Sequence, residues 1–209
     1  MSLLLSSNGA FAIDQIRKLV KKPANQIKIA WITTASKGGV LSQEYLKLHK
    51  EQMENIGYSF ARIDIEARNE EQLKDIAQEN DVIFIEGGNV FYLLKAIRQT
   101  GFDKILKKFI DEGKLYVGAS AGAYIMCPTI EMGSWKHPER PRYELTDLTS
   151  LNYVPFLIFA HYLPEHKELI ENKIKTTEFP LRVIQDNQGF LVDKGNVEFV
   201  GQGKEIKMN

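Results

Sequence analysis

The sequence predicts an α/β fold: a mostly parallel sheet with helices on both faces and a C-terminal edge hairpin. Three observations predict it. Short β-rich apolar runs alternate with helix-period segments through the first two thirds of the chain, the pattern of βαβ units. One apolar run, Leu115–Ala119, leads straight into the small-residue turn Gly118-Ala119-Ser120-Ala121-Gly122. Finally, 209 residues with 44% hydrophobic content suffice for one full core. No repeat, low-complexity tract or Gly/Ser linker interrupts the pattern, so residues 1–209 are expected to form one domain.

The elements follow in order. Leu3–Ser6 reads as a buried strand and Phe11–Val20 as a helix. Strand Ile27–Thr33 precedes helix Leu41–Ile56, and strand Tyr58–Ile63 precedes helix Glu70–Gln78. Strand Val82–Glu86 runs through Gly87-Gly88-Asn89 into helices Val90–Gln99 and Phe102–Asp111. After strand Leu115–Ala119, a short helix from Ala121 to Met126 is stopped by Pro128. Gly133–Thr149 has no clear periodicity, and a long irregular stretch in a compact domain is usually functional or mobile. Strand Phe156–Ala160, helix Glu165–Thr177 and strand Leu181–Ile184 come next. Gly189–Asp193 and Val197–Val200, joined around Gly195-Asn196, form the edge hairpin.

Composition narrows the function. Lys+Arg and Asp+Glu are each 27, and no charge block suggests a nucleic-acid or membrane partner. Cys127 is the one cysteine, which excludes a disulfide framework or cysteine zinc site and suits a reducing compartment. Leu3-Leu4-Leu5 is too short for a signal sequence, and no apolar run approaches a membrane span. A cytoplasmic protein, monomer or homodimer, is expected.

In open α/β sheets, ligands bind beyond the carboxyl ends of the strands. Ser120, His161, Asp186 and the Gly87-Gly88-Asn89 turn each follow a different predicted strand, all potentially on one rim. A G-x-S-x-G turn between strand and helix exposes its hydroxyl at the top of a sheet, above a helix N-terminus that favours an oxyanion. Taken alone, the turn could simply pack a strand against a helix. A seryl nucleophile further needs a base and an acid that orients it. Of four histidines, His49 lies beside Lys47 and Lys50 and reads as solvated surface, His137 falls in the irregular segment, and His166 opens a helix. His161 ends an apolar strand and is the candidate base. Asp186 is the favoured acid from its position, with Asp147 and Glu131 as alternatives. Gly87-Gly88 and the Ala121 amide are candidate oxyanion donors, and Asn89 is a candidate helix cap at the same turn. No His/Asp/Glu cluster has metal-ligand spacing, so no metal or other cofactor is implied.

Gly87-Gly88-Asn89-x-Phe91 paired with Ser120-Ala121-Gly122-Ala123, and extended by Cys127-Pro128-Thr129-Ile130, resembles the peptidase E family of aspartyl dipeptidases. The resemblance spans the whole chain. It implies a cytoplasmic serine exopeptidase acting on small peptides, on a sheet related to class I glutamine amidotransferases. It also implies Ser120 as nucleophile, His161 as base and an acid from the late strand end, here Asp186.

Three departures stand out. Glu86 and Val90 flank the glycine turn where the family usually carries a third Gly and a Thr. Trp135 lies fifteen residues after Ser120, where some readings of the family place the triad Asp. No Arg occurs from His161 to Glu178, only Lys167, Lys173 and Lys175, and an ammonium does not reproduce a guanidinium fork. Weak preference for an N-terminal Asp is therefore expected, unless Arg140 or Arg142 reaches the site from the irregular segment. Two other functions fit parts of the pattern. An α/β-hydrolase esterase would use Asp147 with His161 or His166, because its acid precedes its histidine. A non-catalytic small-molecule-binding module would use Asn8, Gly9 and Ser36 merely to line a pocket.

Overall fold

The structure, a computed structural model, describes residues 2–39 and 41–208. Along the chain run β1 (Ser2–Ser6), α1 (Gly9–Leu19), β2 (Lys28–Ile32), α2 (Gln43–Ile56), β3 (Ser59–Ile63), α3 (Glu70–Glu79), β4 (Val82–Ile85), α4 (Val90–Thr100), α5 (Phe102–Asp111), β5 (Leu115–Ala119), α6 (Ala121–Tyr124), β6 (Leu157–Phe159), α7 (Lys167–Ile174), β7 (Leu181–Val183), β8 (Gln188–Asp193) and β9 (Asn196–Gly201). The main sheet has the order β3-β2-β4-β5-β1-β8-β9. Its first five strands are parallel, and β8 and β9 complete one edge antiparallel.

Both faces of this sheet are covered, which is why its strands read as continuous apolar runs. Alternate residues serve opposite faces. Leu4, Ile29, Trp31, Val82, Phe84 and Val117 pack with α1 and α2. Leu3, Leu5, Ile83, Ile85 and Tyr116 pack on the other side with α3, α4 and α5. Helix α5 shows the matching 3.6-residue period, burying Phe102, Ile105, Leu106, Phe109 and Ile110.

Local signals set the helix ends. Asn8, Ser42, Asn69 and Asn89 cap α1, α2, α3 and α4 by accepting amide hydrogen bonds. Ser42 therefore starts α2 at Gln43, two residues later than expected. The expected helix Glu165–Thr177 divides into a 3₁₀ turn, Pro164–His166, and the shorter α7. In the β8–β9 hairpin the turn is Lys194-Gly195, one residue earlier than expected. Its φ values of 49° and 85° match a two-residue type I′ loop.

Strands β6 and β7, expected in the main sheet, leave it and pair in parallel as a separate two-stranded sheet. The expected rim is therefore built from two sheets rather than one, because three-residue strands carry no signal that assigns them to one sheet or another. Among the described residues, no helix is long and apolar enough to cross a membrane.

Candidate active site

Ser120 occupies a sharp corner between β5 and α6. Its backbone is φ 48°, ψ −105°, a sparsely populated conformation for a residue with a side chain. Ser120 N–H donates to Ser6 O at 2.9 Å, which ties the corner to the neighbouring strand β1. Glycine is needed on either side because backbones meet there. A Cβ on Gly118 would strike the Gly122 carbonyl, and one on Gly122 would strike the Ile85 carbonyl of β4. Tyr116 Oη donates to Gly122 O at 2.7 Å and closes the turn from below.

His161 and Asp186 come from the small sheet. Phe159 pairs with Val183 in parallel register, so the segments leaving β6 and β7 run side by side. His161 Nδ1 lies 2.7 Å from Asp186 Oδ1. The hydrogen bond from His161 holds the Asp186 carboxyl below its ordinary range, and burial opposes it only in part. His161 itself has φ 55°. Its backbone is anchored on two sides: Ala160 N–H donates to Tyr124 Oη at 3.0 Å, and His161 N–H donates to Ser7 Oγ at 2.9 Å. Ser7 Oγ in turn donates to Asp186 Oδ1 at 2.9 Å. No sequence motif marks Ser7 as a site residue; its place just past strand Leu3–Ser6 is the one signal for it.

The other acids lie elsewhere. Asp147 pairs with Arg98 at 3.0 Å and accepts from Thr149 N–H. Glu131 accepts from Thr177 Oγ1 at 2.8 Å.

Ser120, His161 and Asp186 share the wall of one cleft of about 330 Å³ with Ser7, Gly87 and Gly88. Gly88 has φ 140°, and a Cβ there would collide with the Ala35 carbonyl, so only glycine fits. Ala121, the first residue of α6, is buried directly behind Ser120. Asn89 stands outside the cleft wall: its Oδ1 caps α4, and its Nδ2 donates to Pro141 O at 3.0 Å.

The irregular segment contributes Lys136, His137 and Arg140 to the cleft wall. Burial lowers Lys136 to about 8, helped by the charge of Arg140 and opposed by Asp186. The Lys136 ammonium also donates to Ala160 O at 3.0 Å. The other candidate cations point elsewhere: Arg142 donates to Ser134 Oγ over the Phe91 ring, Lys173 lies over Trp135, and Lys167 pairs with Glu171. Trp135 stacks on Phe159, behind His161.

His49, expected at the solvated surface, is instead buried, with Nδ1 2.8 Å from Glu86 Oε2. The flanking lysines misled because helix neighbours diverge by about 100° per residue, so Lys47 and Lys50 face solvent while His49 faces inward. His166 accepts from Leu163 N–H and packs edge-on to Phe159.

The family model described as Peptidase family S51 matches residues 3–204. The chain belongs to peptidase family S51. It is thus a serine peptidase, and the family places a peptide among its substrates. An uncharacterized peptidase of Listeria innocua is 31% identical over 165 residues, 77% of this chain and 78% of that one. An uncharacterized peptidase of Pasteurella multocida is 30% identical over 199 residues, covering 91% and 93%. A peptidase E of Nostoc is 29% identical over 143 residues, covering 66% and 55%. The crystal structure of a candidate peptidase E from Listeria monocytogenes superposes with a TM-score of 0.84 at 26% identity, covering 97% of this S51 chain and 98% of that one.

Proposed function

We propose that this S51 peptidase removes residues from small peptides, as a dipeptidase or exopeptidase, through Ser120, His161 and Asp186. The observation that carries the reading is the 2.7 Å His161–Asp186 pair on the wall of the cleft that also holds the strained Ser120 corner. With Nδ1 engaged by Asp186, Nε2 is left to serve Ser120. Ser120 Oγ attacks the scissile carbonyl carbon as its proton passes to His161 Nε2. The carbonyl oxygen takes up negative charge facing the Gly88 and Ala121 N–H groups. Collapse of the tetrahedral intermediate breaks the C–N bond, and Nε2 returns the proton to the leaving amine. A water activated by the same nitrogen then hydrolyses the acyl-enzyme. Asp186 and Ser7 hold the imidazole in the required tautomer.

The small cleft, with Lys136 and Arg140 on its wall, favours short substrates with an anionic group. The esterase reading would need Asp147 beside a histidine, whereas Asp147 is paired with Arg98. Against a panel of dipeptides and aminoacyl reporters, Ser120→Ala is expected to lose about 10⁴- to 10⁶-fold in kcat while remaining folded. A folded Ser120→Ala protein with undiminished turnover would overturn the proposal.

A further inference from the structure

Glu86, 1% exposed, sits at the base of the cleft wall beside Gly87, and His49, 2% exposed, packs behind it. The Glu86 carboxylate closes a compact network. Oε1 accepts from Gly87 N–H at 3.0 Å. Oε2 accepts from Trp31 Nε1–H at 3.1 Å and sits 2.8 Å from His49 Nδ1. Tyr45 packs edge-on against the His49 ring at 4.7 Å. The first residue of α1 also abuts the pair, since a Cβ on Gly9 would meet both side chains. The positive end of that helix therefore faces the carboxylate.

A buried carboxylate needs this many donors merely to be tolerated. The network nonetheless lies at one particular place: against the first amide of the Gly87-Gly88 turn. The other side of the turn is set by Asn89 N–H donating to Ala35 O at 2.9 Å. Between these two clamps the Gly87–Gly88 peptide has no side chain of its own to hold it. An oxyanion donor acts only when it is fixed before charge develops.

We propose that Glu86, braced by His49 and Trp31, is a positioning residue that fixes the Gly87-Gly88 turn so that the Gly88 N–H faces the reacting carbonyl. The inference rests on the catalytic reading above. Glu86 is 1% exposed and both its oxygens are engaged by protein groups, so it acts through the turn rather than on substrate. Its loss should therefore lower kcat and leave KM nearly unchanged.

Glu86→Gln is the direct test. A carboxamide presents one acceptor and one donor where three donors converge, so either Gly87 N–H or Trp31 Nε1–H meets another donor. A kcat reduced about 10- to 100-fold, with KM within about threefold, is expected, somewhat less than the loss of an oxyanion donor outright. Should Glu86→Gln not fold, His49→Asn and His49→Leu decide the matter. Asn retains a donor near the Nδ1 position and should keep most of the kcat, whereas Leu should lose it about tenfold at constant KM. Wild-type kcat in folded Glu86→Gln, or equal kcat in the two His49 variants, overturns the inference. Ser120→Ala, measured alongside, reports separately on the catalytic reading: an inactive Ser120→Ala with an undiminished Glu86→Gln rejects only the positioning role.

Discussion

Two of the three proposed catalytic residues, Ser120 and His161, hold positive φ, at 48° and 55°. Such backbone costs about 1–3 kcal/mol per residue and persists only where its surroundings impose it. For Ser120 these are the Gly118 and Gly122 approaches. For His161 they are hydrogen bonds from Ala160 N–H to Tyr124 and from His161 N–H to Ser7. Asp186 completes the residue-scale picture. Its carboxyl lies below the ordinary value of 3.8, chiefly through the His161 hydrogen bond. For a depressed acid, stability is fully present above the unfolded value and is lost as pH falls through the folded one. Asp186→Asn is therefore expected to lower Tm at neutral pH, with the difference from wild type closing as pH falls below about 3.8. Thermal melts of both proteins from pH 7 to pH 3 test this. The same variant should lower kcat roughly 10⁴-fold, as loss of a triad acid does.

At the scale of elements, the β5–α6 junction depends on glycine for space. Gly122→Ala drives a methyl into the Ile85 carbonyl, and backbone must shift to admit it. A destabilisation of about 1–3 kcal/mol is expected, as for other overpacked sites. Gly87→Ala is the contrast: its added Cβ would lie an ordinary 3.5 Å from Ser120 Cβ, so stability should change by less than about 1 kcal/mol. Urea unfolding of the two variants separates these outcomes. Equal stability would show that α6 slides readily over β4.

Across the whole molecule, the cleft joins two sheets and one irregular segment. The main sheet contributes Ser120 and the glycine turn, the small sheet contributes His161 and Asp186, and the segment contributes Lys136 and Arg140. The weak preference expected for an acidic first residue rests on the absence of an Arg from His161 to Glu178, and holds unless Arg140 or Arg142 reaches the site. With a guanidinium and an ammonium on the cleft wall, an anionic substrate group gains counter-charges in a partly desolvated setting. Asp-X is therefore expected to exceed Ala-X in kcat/KM by at least about tenfold, or about 1.4 kcal/mol. Arg140→Ala should erase most of that ratio. Lys136 is charged below its value of about 8 and neutral above it, so KM for the acidic substrate should rise as pH passes 8 while KM for Ala-X stays flatter. A ratio unchanged in Arg140→Ala would place the recognising cation elsewhere.

The α/β class, the order of nearly every element and the Ser120 corner are legible in the amino-acid sequence. These depend on signals only a few residues long: apolar alternation, capping Asn and Ser residues, and glycines where backbones touch. Ser120, His161 and Asp186 were legible as a set because each follows an apolar strand. Which partners meet is set by the packed fold. It moved β6 and β7 into a sheet of their own, paired Asp147 with Arg98, and brought Ser7 to Asp186 from the far end of the chain. It turned His49 inward onto Glu86 and set Arg140 rather than Arg142 in the cleft. Those outcomes depend on contacts between residues distant in sequence, where side-chain direction and packing decide, and no local pattern encodes them.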